Sequence, residues 1–255
     1  MFSYSTSPVI LSSQDGRKTH WRCLWRRISV GPRRLAEDVL ARRQQILGKD
    51  HPQTLGSASV LAEILRVLGE IDAARTLNEE TLTHRRGILG DDHPDTLVSA
   101  AELAICLAGL GELRAARDLD ADTLTRLWRV HGDNHRHTLA VAHNLAISLR
   151  KLGEPEEARR IEEDVVARRQ QVLGPDHEHT LDATATLCAC LADLGDLQAA
   201  HDLAEHIVTR RQRILGPGHR DTVASINLLQ DVRAKQQQRG EDTKRGTGTR
   251  RWRRK

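Results

Sequence analysis

Read for the spacing of its apolar residues, the chain repeats one paired pattern. In the stretch 138–152, Leu139, Ala142, Leu145, Ala146 and Leu149 fall three and four residues apart, which makes one face of a helix apolar. Leu152-Gly153 ends that stretch, glycine being the residue that takes the left-handed position just past a helix. A second stretch, 155–173, sets Ala158, Ile161, Val165 and Val172 on one stripe and opens on Pro155, which suits a first helical turn, as Pro52 and Pro94 do elsewhere. The pattern predicts A helices over 54–68, 96–110, 138–152, 180–194 and 222–236, and complete B helices over 71–89, 113–131, 155–173 and 197–215. Residues 33–47 match the second half of a pair, since Leu35-Ala36-Glu37 aligns with Leu77-Asn78-Glu79. Four hairpins with a half-unit at each end are therefore expected.

The polar punctuation has the same period. His51, His93, His135, His177 and His219 stand 42 residues apart, as do Thr54, Thr96, Thr138, Thr180 and Thr222. Gly48, Gly90, Gly132, Gly174 and Gly216 keep the step, and so do Gly69, Gly111, Gly153 and Gly195 inside an LGE or LGD phrase. Self-similarity at this period means stacked supersecondary units that bury a continuous core only together. The fold class expected is an all-α solenoid.

Composition sharpens the organisation at the ends. The last A helix loses its apolar face after Leu229, where Asp231, Arg233, Lys235 and Gln236 give the polar outer surface that a terminal cap needs. Residues 1–31 do not fit the repeat, and residues 1–34 carry a net charge of +6. Residues 239–255 also carry +6, so the body over 35–238 holds −8 of the total of +4. We expect a basic, mostly disordered leader over 1–31, with at most a short turn through Trp21, Leu24 and Trp25. The repeat array should then span 32–236 and a basic disordered tail 237–255. No run of about 18 apolar residues suggests a membrane span. No basic region followed by an apolar stretch suggests a secretory signal. The four cysteines fit a reduced, cytoplasmic setting.

The phrases Ala74-Arg75-Thr76-Leu77-Asn78-Glu79-Glu80, Leu89-Gly90-Asp91-Asp92-His93-Pro94-Asp95-Thr96-Leu97 and His143-Asn144-Leu145-Ala146 resemble the tetratricopeptide repeat in its 42-residue variety. Kinesin light chains and multi-repeat bacterial proteins carry that variety. The likeness covers about residues 33–236. It implies a right-handed superhelix and a non-enzymatic scaffold for a protein or peptide partner, without a cofactor. No G-x-x-x-x-G-K-[ST] phosphate loop occurs in the sequence. The resemblance further implies a concave groove lined by the A helices. Its slots here are Ala140, His143, Asn144, Ile147, Arg150 and Lys151 in the third copy, with Arg66, Glu102 and Asp182 flanking. Asn144 matches the asparagine that holds an extended peptide's backbone in kinesin-light-chain-type grooves. Val60, Glu102, Thr186 and Leu228 stand at its equivalents, so the asparagine ladder is broken in four copies of five.

Three other sets of residues carry competing chemistry. The repeated histidines cannot share an ion, because helix layers lie roughly 8–10 Å apart and zinc needs nitrogens at about 2 Å. They are expected to cap the A helices. His177, His179, Cys188 and Cys190 are spread over about 13 Å of helical rise or more, and Cys188 fills the slot of Ala62, Ala104 and Ala146, so a small buried residue is expected rather than a metal ligand. Arginines on the B helices, such as Arg42, Arg126 and Arg168, follow an acid by four residues, which predicts a solvated charge ladder rather than a nucleic-acid stripe. The alternative function rests on the ends, where Arg250, Arg251, Trp252, Arg253 and Arg254 combine charge with a stacking ring suited to nucleic acid or an anionic surface.

Overall fold

The computed structural model describes residues 18–251 of the chain, with side chains over 31–241. Among these residues ten helices follow one another: α1 Lys18–Leu47, α2 Pro52–Val67, α3 Ile71–Leu89, α4 Pro94–Gly109, α5 Leu113–His131, α6 Arg136–Lys151, α7 Pro155–Leu173, α8 Glu178–Leu194, α9 Leu197–Leu215 and α10 Arg220–Arg251. The chain divides into two compact units, Met1–Gly132 and Asp133–Lys255. In the first, α1 to α5 pack each on the next and α2 also touches α4. In the second, α6 to α10 do the same, with α8 touching both α6 and α10. The architecture is the expected all-α solenoid of helical hairpins, and α3, α5, α7 and α9 have the predicted bounds.

Each layer of core is built from the predicted stripes. In the first unit Leu40, Ala58, Leu61, Leu65, Ala74 and Cys106 form one cluster, and Leu82, Ala100, Leu103, Leu107 and Ala116 the next. The small residues Ala62, Ala104, Ala146 and Cys188 are fully buried, which lets neighbouring backbones approach closely. The end of the B stripe differs from expectation. Val172 is exposed, and so are its equivalents Ile46, Ile88, Val130 and Ile214, because no described helix covers the last turn of helix B.

The turns explain why the glycines recur. After α2 the N–H of Glu70 reaches the carbonyl of Leu65 at 2.9 Å and the N–H of Gly69 reaches that of Arg66 at 3.1 Å. This is the paired bonding that satisfies a helix's last carbonyls, and it requires the positive φ of 82° that Gly69 adopts. The same two bonds recur after α4, α6 and α8. The acid of the LGE phrase then stands at the N-cap of helix B, and two of these acids accept an arginine from the preceding B helix: Arg33 to Glu70 and Arg75 to Glu112, both at 2.6 Å.

The histidines cap the A helices, as predicted. Nδ1 of His51, His93, His135, His177 and His219 accepts the N–H two residues on at 3.1–3.3 Å. An accepting Nδ1 carries no proton, so the imidazole is the Nε2–H tautomer at each cap. Each A helix consequently begins two residues before the predicted threonine.

The ends differ from expectation too. Helix α1 starts at Lys18, continuing through Pro32, and α10 runs to Arg251, where composition suggested disorder over 1–31 and 237–255. Arginine, lysine and glutamine are good helix formers, and extending a helix already nucleated by packing needs no new nucleus. Residues 1–17 and 252–255 lie outside the described residues, as do the side chains of Trp21, Leu24 and Trp25.

Candidate partner-binding faces

One register of basic residues on the B helices is consumed within each unit from His84 onward. Arg126 lies 2.9 Å from Asp122 and 2.8 Å from Asp92, and Arg168 lies 2.7 Å from Asp164 and 3.1 Å from the Asn134 amide oxygen. Arg210 pairs with Asp176, and His84 with Asp50 at 2.6 Å. The i,i+4 pairs were anticipated at Asp122–Arg126 and Asp164–Arg168. The reach across 34 residues to the preceding loop was not, and it is the same in all four.

The residue one position further on is a second device, missed because it was read as solvated. Arg85 donates to the carbonyl of Asp95 at 3.0 Å and to Ser99 Oγ at 2.6 Å; Arg211 does the same with Asp221 and Ser225, and Arg43 with Gln53 and Ser57. Arg169 has Ala183 where the others have serine, and it donates instead to the carbonyls of His179 and Leu139. At positions 127 and 141 the arginine and serine are replaced together, by Leu127 and Val141. Comparing copies at the 42-residue step holds the signal for a buried pair.

The A helices leave their side chains less engaged. In the first unit Arg66 is bonded to Glu63 through two N–H groups at 2.8 and 2.6 Å. Glu102 is largely buried on α4, and burial pushes its carboxyl up. Ala62, Glu63, Arg66, Asn78, Glu102 and Ile105 line a cavity of about 20 Å³. Two apolar residues of these helices are open to solvent, Val60 at 58% and Ile105 at 36%.

In the second unit Ala140, Asn144 and Ile147 are half-buried on α6, and Lys151 is exposed. Neither Asn144 nor Ile147 is held by an ion pair or side-chain hydrogen bond. Arg150 pairs with Asp193 at 2.8 Å, and Asp182 pairs with Arg211. His143 departs from its expected place on the free face. Its Nδ1 lies 2.7 Å from Oε1 of Glu162 on α7. Glu162 is fully buried, which pushes its carboxyl up, and a buried carboxyl needs a donor. His143 supplies it.

Glu162 belongs to a register that sequence reasoning passed over: Ala36, Asn78, Asp120, Glu162 and Ala204, one per B helix. Its three polar members are buried at 2% exposure or less. Cys188 and Cys190 are buried as small core residues, and burial pushes both thiols up to about 11. Of the basic end, Arg250 and Arg251 lie in the last turn of α10 without described side chains, and Trp252, Arg253 and Arg254 lie outside the described residues. No described helix is long and apolar enough to cross a membrane.

Comparison with known proteins agrees with this geometry. One profile for the tetratricopeptide repeat matches residues 33–53, 138–179 and 189–221, and a second with the same description matches 56–127, together about two thirds of the chain. A search of curated proteins gives no match. Among solved structures, the nearly identical TPR-like repeats of a kinesin-light-chain-type protein from Podosopora anserina are 26% identical, with a TM-score of 0.60 over 77% of this chain and 96% of that one. BtubC (BKLC) from P. vanneervenii is 18% identical, with a TM-score of 0.67 over 81% and 84%. Bacillus thuringiensis PlcR, solved with the peptide PapR7 and DNA, is 16% identical, with a TM-score of 0.57 over 87% and 76%. The last two bear on the fold alone.

Proposed function

The chain belongs to the tetratricopeptide-repeat family, and from that premise we infer that it is a non-enzymatic scaffold whose A helices hold a segment of a partner protein. Scaffolding of proteins is the general role of this fold, and PlcR, alike in fold, is solved with a peptide. One observation favours the A helices over the B helices. Arg85, Arg126, Arg168, Arg169, Arg210 and Arg211 of the B helices are tied to acids, carbonyls and serines of their own unit, whereas Asn144, Ile147, Val60 and Ile105 on the A helices stay uncommitted. Open amide and apolar groups side by side are what an extended backbone with alternating side chains needs. In this reading Asn144 bonds the partner's main chain, Ile147 and Ala140 pack on its side chains, and Arg150, Lys151 and Asp182 set its charge pattern on the second unit, while Arg66 and Glu102 do so on the A-helix face of the first unit by itself.

The test is capture of partners from nuclease-treated source lysate by the full chain and by an Asn144→Ala, Ile147→Ala variant, read by mass spectrometry. His143 is left intact, because its bond to Glu162 makes it a stability residue. A protein lost from the variant while the circular dichroism is unchanged supports the reading. Equal retention by both refutes it. Partners that vanish with nuclease favour the second reading, capture of a polyanion by the basic ends, each of net charge +6.

A further inference from the structure

The small cavity of the first unit is lined by hydrogen-bond acceptors without donors. Asn78 is 2% exposed on α3; its amide nitrogen reaches Cys106 Sγ at 3.5 Å, and its Oδ1 meets no partner. Glu102 Oε2, from α4, is also buried and unpartnered. The one cation on the lining, Arg66, is committed to Glu63. A buried acceptor without a donor bears its full desolvation cost, so two on one cavity favour the entry of a donor.

In the second unit one oxygen of the same register is met from within, while Glu162 Oε2 stays without a partner. Glu162 stands two repeats after Asn78, and His143 two repeats after Ser59. There the imidazole meets the buried carboxyl at 2.7 Å. In the first unit the short Ser59 takes the histidine's place; its hydroxyl is close enough to Glu102 to favour the charged carboxylate, but it does not reach the full hydrogen-bond geometry that His143 achieves.

We propose that this cavity is an ammonium socket, taking the terminal amine of a lysine side chain from the segment that the A helices bind. The proposal rests on the scaffold reading above and specifies its partner. An ammonium offers three donors in a group the size of a water molecule, and about 20 Å³ is room for one such group. The guanidinium of arginine is a planar five-donor fork that needs more width. An anion would meet only acceptors. Ile105 and Ala62 supply apolar wall for the lysine's methylene stem, as charged side chains use when the head is buried and the stem lies on apolar surface. Glu102, Glu63 and Arg66 together leave the lining with one carboxyl in excess; burial raises the affinity of Glu102 for its proton, and a cation seated beside it would offset that cost.

Fluorescent octapeptide pools that differ only at a fixed central residue test this on the full chain: lysine, acetyl-lysine, norleucine or arginine, read by anisotropy. The lysine pool is expected to bind about tenfold tighter than the other three, and Glu102→Gln to remove that advantage without loss of helicity. Arginine equal to lysine would reduce the effect to general attraction by an acidic surface. Norleucine equal to lysine would mean that the cavity holds only water, and would leave the scaffold reading intact. Failure of every pool to bind would overturn both. The acetyl-lysine comparison needs no variant, so a Glu102→Gln chain that fails to fold does not rescue the idea.

Discussion

Asp120 offers the sharpest test of how this core tolerates polar groups. It is 1% exposed on α5, its Oδ1 meets no donor among the described residues, and burial alone pushes its carboxyl up to about 8. In the unfolded chain an aspartate titrates near about 3.9. Below about pH 4 both states hold the proton, and the group costs nothing for its charge. Between about pH 4 and pH 8 the native state keeps a proton that the unfolded state has lost. Rising pH therefore removes stability, by about 1.4 kcal/mol per pH unit, until both states are ionised above about pH 8. Asparagine at 120 does not titrate. The stability advantage of Asp120→Asn over the parent should thus grow by about 2.7 kcal/mol from about pH 5.5 to about pH 7.5. The new amide adds an offset of its own, but that offset is the same at every pH, so the slope carries the argument. Urea unfolding followed at 222 nm at several pH values measures it. Parallel stability curves for parent and variant would show that Asp120 is solvated or paired in solution, and would refute the reasoning.

Two further outcomes test the repeat's fixed parts. His93→Ala should cost about 1 kcal/mol by exposing the N–H of Asp95 at the start of α4, and His93→Asn should recover most of it, since asparagine also accepts at an N-cap; thermal melts compare the three. Arg85→Leu and Ser99→Val should each destabilise by about 1–3 kcal/mol, because each strands a buried partner, while the double change should cost less than their sum by at least about 1 kcal/mol. Additive losses in that cycle would mean that the Leu127 and Val141 replacement in the third copy is not a compensated exchange.

The helical architecture was legible because periodicity is a property of many residues at once. The B-helix bounds at 71–89 and 155–173 follow from glycine and proline punctuation, and the histidine caps from their place before each A helix. What spacing could not give was the direction of single long side chains. Arg42, Arg126 and Arg168 share a register with His84, yet whether such a side chain lies along its own helix or reaches the loop 34 residues earlier depends on packing. His143 was assigned to the free face by counting, but its ring has rotamers that reach α7, and the buried carboxyl of Glu162 selects one of them. At the ends composition and backbone speak to different things. Composition reports how little apolar surface α1 and α10 bury beyond the repeat, whereas their backbone state depends on the helices they extend.

The reach of those long side chains also sets how this chain can change in length. Within each unit, layers are tied at fixed separations: 34 residues for His84–Asp50, Arg126–Asp92 and Arg210–Asp176, and 37 for Arg33–Glu70, Arg75–Glu112 and Arg213–Asp176. One residue inserted in a connecting turn would put the ties that span it out of step. Duplication or deletion of a whole 42-residue unit leaves them all in step. The array is thus a ruler with one graduation, able to grow or shrink by recombination between copies and resistant to any smaller edit.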